Sequence, residues 1–241
     1  DKTYFENLFT MMGIVDSATG ALDPLVPSCY RRFAALNSNH GMALSVFANL
    51  VTTSSLVGPI SGLISSLAAA YGPLHFGAPE AAYKTISKIS GPENVPAFLD
   101  EVKSGKRRLF GYGHRTYKAV DPSSDLVGLE LAPIKDMLLK LNVESDPLLK
   151  IAREIDRVSA TNEYFVNRGL HTNADFYGVF FFVALGFQPE EILVAMVAQR
   201  LMGIMAHWRE PMRKTMKLFR PTHIYTRKTD PVGDIKLPSR L

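Results

Sequence analysis

Leu148, Ile151, Ala152, Ile155 and Val158 recur at the spacing of one helix face, while Arg153, Glu154, Asp156 and Arg157 lie largely off that stripe. The pattern predicts an amphipathic helix with its charges turned to solvent. The run Phe176 to Phe187 is almost wholly apolar and is broken at Gly186, which predicts a buried helix. Pro189 ahead of Glu190 and Glu191 makes a good helix start, and the run it opens, 190–209, is apolar nearly all round. Pro79 and Glu80 open a helix over about 80–90, and Pro96 opens a short one over 97–103. Between His40 and Glu80 there is no Asp, Glu, Lys or Arg. Gly58, Pro59, Gly62 and several serines and threonines interrupt that stretch. A lipid-facing span needs about 20 more continuously apolar residues. The stretch therefore predicts two helices, 41–56 and 58–70, buried in a core or a subunit interface, and no membrane span. Alternation is confined to 223–228, a short strand at most. The expected fold is mainly α.

Composition changes this picture little. The chain has 241 residues, enough for one large or two modest domains, and a net charge of +4. The charge concentrates at the C-terminus, where Arg213, Lys214, Lys217, Arg220, Arg227, Lys228, Lys236 and Arg240 face only Asp230 and Asp234. No aromatic-basic array or DNA-binding motif accompanies these residues, so they predict a solvated face or arginines that hold small anions, and no nucleic-acid partner. Cys29 is the one cysteine, which excludes an intrachain disulfide and a cysteine-rich metal site. No two of the six histidines stand at HxH or HxxxH spacing, so no metal is expected. The chain opens at Asp1 without an initiator Met or a signal-peptide pattern, as a piece beginning inside a longer protein would.

Chemistry concentrates in three short segments. Tyr71-Gly-Pro-Leu-His75 and Phe110-Gly-Tyr-Gly-His114 are glycine-led turns that each deliver a histidine, and Thr172-Asn-Ala-Asp175 delivers a carboxylate. Two imidazoles and one carboxylate suit proton transfer beside a carbonyl. Each has a plainer reading. His75 alone is a histidine bonded to backbone in a core. Gly111 and Gly113 alone form an anion-cradling loop that is neither a Walker loop nor a GxGxxG turn. Asp175, just ahead of an apolar helix, is equally an N-cap.

Taken in order, Glu6-Asn-Leu-Phe-Thr-Met-Met-Gly, Asn39-His40-Gly-Met, Gly72-Pro-Leu-His75, Gly111-Tyr-Gly-His114-Arg, Asp121-Pro122, Asn173-Ala-Asp175-Phe-Tyr-Gly and Arg220-Pro221 resemble the citrate synthase family along nearly the whole chain. The resemblance implies an all-helical fold in two parts. A large domain would span 1–77 and 187–241, a small domain 78–186 would close over the cleft, and about two-fifths of a family member would precede Asp1. It implies a condensation of an acyl-CoA with oxaloacetate, giving citrate or an alkylcitrate, with no metal or redox cofactor and with CoA entering as substrate. It implies a homodimer, and a compartment that is mitochondrial, peroxisomal or cytosolic. By the same resemblance Asp175 is the base that takes the α-proton, His75 bonds the thioester oxygen, and His114 polarises the ketone. His40, Arg200 and Arg220 bind oxaloacetate, Arg220 being given in trans by a second copy. Leu109, Phe110, Gly111, Tyr112 and Gly113 contact adenine, and Lys118 lies near CoA phosphates.

Three features depart from the family pattern. Ser123 follows Asp121-Pro122 where a carboxylate-binding arginine is usual, and a hydroxyl cannot replace a bidentate guanidinium. Phe76 stands in place of a glycine, and Pro79 in place of an asparagine, reshaping the wall near the acyl group. The missing N-terminal region would ordinarily supply helices and dimer contacts. A non-catalytic binding or scaffold protein is the rival reading; His75, His114 and Asp175 argue against it and Ser123 for it.

Overall fold

The structure, a computed structural model, describes residues 2–113 and 134–224. These are helical with short connections: α1 (Tyr4–Met11), α2 (Leu25–Asn37), α3 (Leu44–Thr53), α4 (Pro59–Ala70), α5 (Ala78–Ile86), α6 (Val95–Lys103), α7 (134–140), α8 (Pro147–Thr161), α9 (Glu163–Val166), α10 (Ala174–Ala184) and α11 (Ile192–Met212). Among the described residues there is no strand, only an isolated antiparallel bridge between Tyr112 and Thr172. The strand expected over 223–228 is irregular at 223–224, and its remaining residues lie outside the described ones.

The helix starts follow the sequence signals. Asp146 caps α8 by accepting from the N–H groups of Leu148 (2.7 Å) and Leu149 (3.2 Å). Pro79 and Pro96 sit inside the first turns of α5 and α6, where a missing N–H costs nothing, so both helices begin slightly ahead of the expected residue. The helix expected over 41–56 is shorter at both ends. Gly41 (φ +59°) and Leu56 (φ +64°) take left-handed backbone, which an α-helix cannot include.

The core gathers around α10, in which Phe176 through Phe182 are all buried. Phe181 and Phe182 pack edge-on against Phe33 of α2, with centroids 5.0 and 5.6 Å away. Tyr30 lies among Phe9, Phe182 and Phe187, and its hydroxyl donates to the Ala195 carbonyl of α11 at 2.6 Å. Each buried phenylalanine is worth about 1.5–3 kcal/mol, so this aromatic set fixes α1, α2, α10 and α11 as one block. No single described helix is long and apolar enough to cross a membrane; α10 with the segment Pro189–Met212 has the composition but bends by 118°.

The uncharged stretch behaves differently from a core. α3 and α4 pack closely on each other, but the face between them carries hydroxyls. Thr52 donates to Ser65 (2.7 Å), Ser65 to the Ala48 carbonyl (3.0 Å) and Ser66 to the Ser45 carbonyl (2.7 Å). The apolar side chains Leu44, Phe47, Val51, Ile60 and Ile64 point outward and are exposed. Each helix therefore buries one side, with Val46 and Ala70 in the core, and leaves its apolar outer side uncovered among the described residues.

Candidate active site

α11 crosses the end of α2 at a glycine. A Cβ on Gly203 would lie 2.0 Å from the Ser38 carbonyl oxygen, so no other residue allows this approach. One turn earlier on α11, Arg200 is only 5% exposed. Its Nε donates to the Asn37 carbonyl at 3.0 Å, a terminal nitrogen bonds Asn37 Oδ1, and its guanidinium lies 4.9 Å over the Phe76 ring. Asn37 also donates to Gln199 at 3.1 Å. Arg200 is thereby held in one orientation deep in the protein.

Phe76 carries the next residue of interest beside it. Between α4 and α5 the chain winds tightly, with N–H···O bonds from His75 to Gly72 (3.0 Å), Phe76 to Ala70 (3.1 Å) and Ala78 to His75 (2.9 Å). Phe76 is 2% exposed, packed under Arg200 and beside the His75 ring at 4.5 Å, and not on an open wall. The His75 ring meets Ser45 at the start of α3. The Ser45 backbone N–H reaches Nε2 at 3.3 Å and its hydroxyl at 2.9 Å. A backbone N–H can only donate, so Nε2 accepts and the ring proton sits on Nδ1. Burial first, then the charges of Arg200 and His40, bring the His75 pKa from 6.5 down to about 4. His75 is a neutral donor through Nδ1–H, and His40 and Arg200 are its electrostatic neighbours.

A neutral, partly buried histidine leaves a signature in stability. The unfolded chain takes a proton on His75 below pH 6.5 and the folded chain only near pH 4, so stability present above pH 6.5 is lost as pH falls through that window. Thermal unfolding of wild type and His75→Asn should show wild type losing ground to the variant between pH 6.5 and 5. Parallel curves would mean that the imidazole is not desolvated.

The second group forms where the glycine loop meets α10. Gly111 and Gly113 both have φ +77°, and a Cβ on Gly111 would lie 2.7–2.9 Å from the Cβ, Cα and N of Phe176. The loop pairs with the segment ahead of α10. Gly113 N–H donates to His171 (2.7 Å), Asn173 N–H donates to Gly111 (2.9 Å), and the Asn173 side chain donates to the Gly113 carbonyl (3.0 Å). The same amide accepts from Asp175 N–H at 3.0 Å, so Asn173 is the N-cap and Asp175, half-buried, is the second residue of the helix. The cap reading of Asp175 is thus corrected. Leu109 is buried and Phe110 and Tyr112 are partly so.

The two groups are linked by α5, which follows His75 and packs on α10. His114, Lys118, Asp121, Pro122 and Ser123 lie outside the described residues. Arg220 is exposed beyond α11; Phe219 N–H beside it donates to Ser54 Oγ at 3.0 Å, near the end of α3 and its apolar face. No described contact joins Arg220 to His75 or Asp175. Sequence reasoning missed Ser45, Asn37 and Asn173, although an asparagine two residues ahead of an acid and an apolar run is itself a cap signal. It also took Asp156 for a solvent-facing charge. Instead that carboxylate accepts from Tyr177 (2.8 Å), Thr172 (3.0 Å) and Tyr112 (3.4 Å). Burial, then the Asp156 charge, pushes both phenols well above their ordinary pKa, so both remain donors. Among the described residues no three His, Cys, Asp or Glu are grouped to hold a metal ion.

Residues 1–222 match the family described as citrate synthase, C-terminal domain. The chain belongs to the citrate synthase family. It is 48% identical over 235 residues to the alkylcitrate synthase phiJ of Fungal sp. (strain ATCC 74256), covering 96% of this chain and 50% of that protein. It is 43% identical over 226 residues to the alkylcitrate synthase tstJ of Talaromyces stipitatus, covering 93% and 49%. The chain spans about half the length of the curated relatives it matches. Among solved structures, citrate synthase from Thermoplasma acidophilum, in a ternary complex with carboxymethyl coenzyme A and oxaloacetate, is similar at TM-score 0.75 and 28% identity, over 96% of this chain and 60% of that one. The Thermotoga maritima citrate synthase gives TM-score 0.79 and 27% identity, over 95% and 59%. The helices described above therefore belong to the all-α citrate synthase fold.

Proposed function

We propose that this chain carries the catalytic part of an enzyme that condenses an acyl-CoA with oxaloacetate and releases CoA and an alkylcitrate, with citrate as the shortest product. The reading rests above all on the neutral His75, whose one ring proton sits on Nδ1 beside Arg200 and His40. The α-hydrogen of a thioester is weakly acidic, and a free aspartate has a pKa of only about 3.9. Asp175 can take that proton only if the growing enolate oxygen is stabilised at the same moment. Nδ1–H of His75 is the donor for it, on a ring held by Ser45 through Nε2. The enolate carbon then bonds to the ketone carbon of oxaloacetate while His114 hydrogen-bonds and protonates the new alkoxide. Water cleaves the resulting thioester, giving the acid and free CoA thiol. His40, Arg200 and Arg220 take the carboxylates of oxaloacetate, and Leu109 to Gly113 with Lys118 take CoA. No metal or redox centre enters these steps.

A domain 78–186 closing on 1–77 and 187–241 would exclude water until the carbon–carbon bond has formed. Two relatives named alkylcitrate synthases favour acyl groups longer than acetyl. Ser123, in the place of a usual arginine, favours the rival binding protein. The test is purified protein given oxaloacetate with acetyl-, propionyl-, hexanoyl- and decanoyl-CoA. Thiol release is expected, strongest with the longer chains; none with any of them would leave the binding reading.

The outward face of α3 and α4 fits a second copy of the chain. Leu44, Phe47, Val51, Ile60 and Ile64 are apolar and uncharged, and Arg220 emerges beside them. A two-fold pairing there would let each copy lend Arg220 to the other. Light scattering should give twice the subunit mass, and a monodisperse monomer at micromolar concentration would contradict the pairing.

A further inference from the structure

Asp156 is the acid of the α8 charged stretch whose described hydrogen bonds reach outside its own helix. Its neighbours pair at the surface, Arg153 with Glu144 and Arg157 with Glu154. The Asp156 carboxylate is 26% exposed and receives three hydroxyls, with Lys135 3.8 Å away. Those hydroxyls come from positions that bracket the chemistry. Tyr112 stands two residues before His114, Thr172 three before Asp175, and Tyr177 two after it. The Tyr112 ring also stands edge-on against Phe176 at 5.0 Å. An ionised carboxylate is acceptor-only with room for about four bonds, so it holds three donors without conflict. An asparagine there keeps one acceptor oxygen and no charge; its nitrogen would reverse the bond with one hydroxyl, which must then accept, and the charge-assisted donations are lost.

We propose that Asp156 is a positioning residue that ties the end of the glycine loop, at Tyr112, and the helix start carrying Asp175 to α8, fixing how that loop and the base stand to each other. Its catalytic part rests on the condensing function argued above; the tie itself does not. Phenols and threonine hydroxyls at 112, 172 and 177 are the strings, and Asp156 is the knot. A misplacement of 1 Å in such a pair costs roughly a hundredfold in rate. A cavity of about 500 Å³, lined among others by Lys135, Leu138, Arg153, Asp156 and Tyr177, opens beside the carboxylate, so a longer acid fits there.

The test compares wild type, Asp156→Asn, Asp156→Glu and Asp156→Asn/Tyr177→Phe. Asp156→Asn should lower kcat for thiol release roughly tenfold to a hundredfold, with KM for oxaloacetate and acyl-CoA within threefold. Asp156→Glu should recover most of it, and adding Tyr177→Phe to Asp156→Asn should change little further. Hydrogen exchange provides a readout independent of turnover. In Asp156→Asn the amides of 108–113 and 171–176 should both exchange faster, while those of α3 and α4 stay as in wild type. Unchanged exchange in either segment overturns the tie. An unchanged kcat with a lowered Tm overturns the catalytic role and leaves a structural one. If wild type itself releases no thiol, the condensing function fails, and the exchange result still decides whether Asp156 joins the two segments.

Discussion

Asp175→Asn is expected to lose turnover by roughly 10²–10⁴-fold, the usual contribution of a positioned general base, while the protein stays folded. The two effects separate because of where the residue sits. Asn173 is the cap of α10 and Asp175 only the second residue of that helix. A negative charge in a first turn contributes about 0.3–1 kcal/mol, so its removal should move stability by no more than that. Thiol release and thermal unfolding, measured on one preparation, check both halves. A variant that keeps most of its activity would reduce Asp175 to a favourable charge at a helix start, and the base would have to be sought elsewhere.

Gly111→Ala should be the most damaging small substitution near the site. Its φ of +77° strains any residue with a Cβ, at about 1–3 kcal/mol. The added methyl would also lie 2.7 Å from Phe176 Cβ and 2.8 Å from its Cα. Phe176 is fully buried on a helix packed on every side, so it cannot retreat, and overpacking adds about 1–3 kcal/mol more. The expected loss is about 3 kcal/mol by chemical denaturation, with activity lost in the fraction that still folds. A loss below about 1 kcal/mol would mean that the loop and α10 are not in contact.

Much of this architecture is written in local pattern. The apolar run that becomes α10, the prolines that open α5 and α6, and the stripe of α8 are all readable because helix periodicity and capping are short-range. The family resemblance is readable because the ordered motifs survive in the chain. Contacts across long separations are not. Nothing local tells that Ser45 orients the His75 ring, or that Asn37 orients Arg200 from 163 residues away. Asp156 reads as one more surface acid, since helix phase alone cannot reveal three hydroxyls arriving from other segments. The outward-facing apolar side of α3 and α4 was hidden for a related reason. A run without charge says that burial is wanted, and only packing says which side of each helix the chain buries itself.

Asn173 has a consequence of its own. Its oxygen begins α10 and its nitrogen grips Gly113, so the two ends of one amide serve opposite partners. Turning that amide over would replace both attractions by repulsions together. Neither the loop nor the helix is therefore free to be retuned alone in evolution: a lineage that shifts one must shift the other, and the approach of Gly113 to the start of α10 is inherited as a unit.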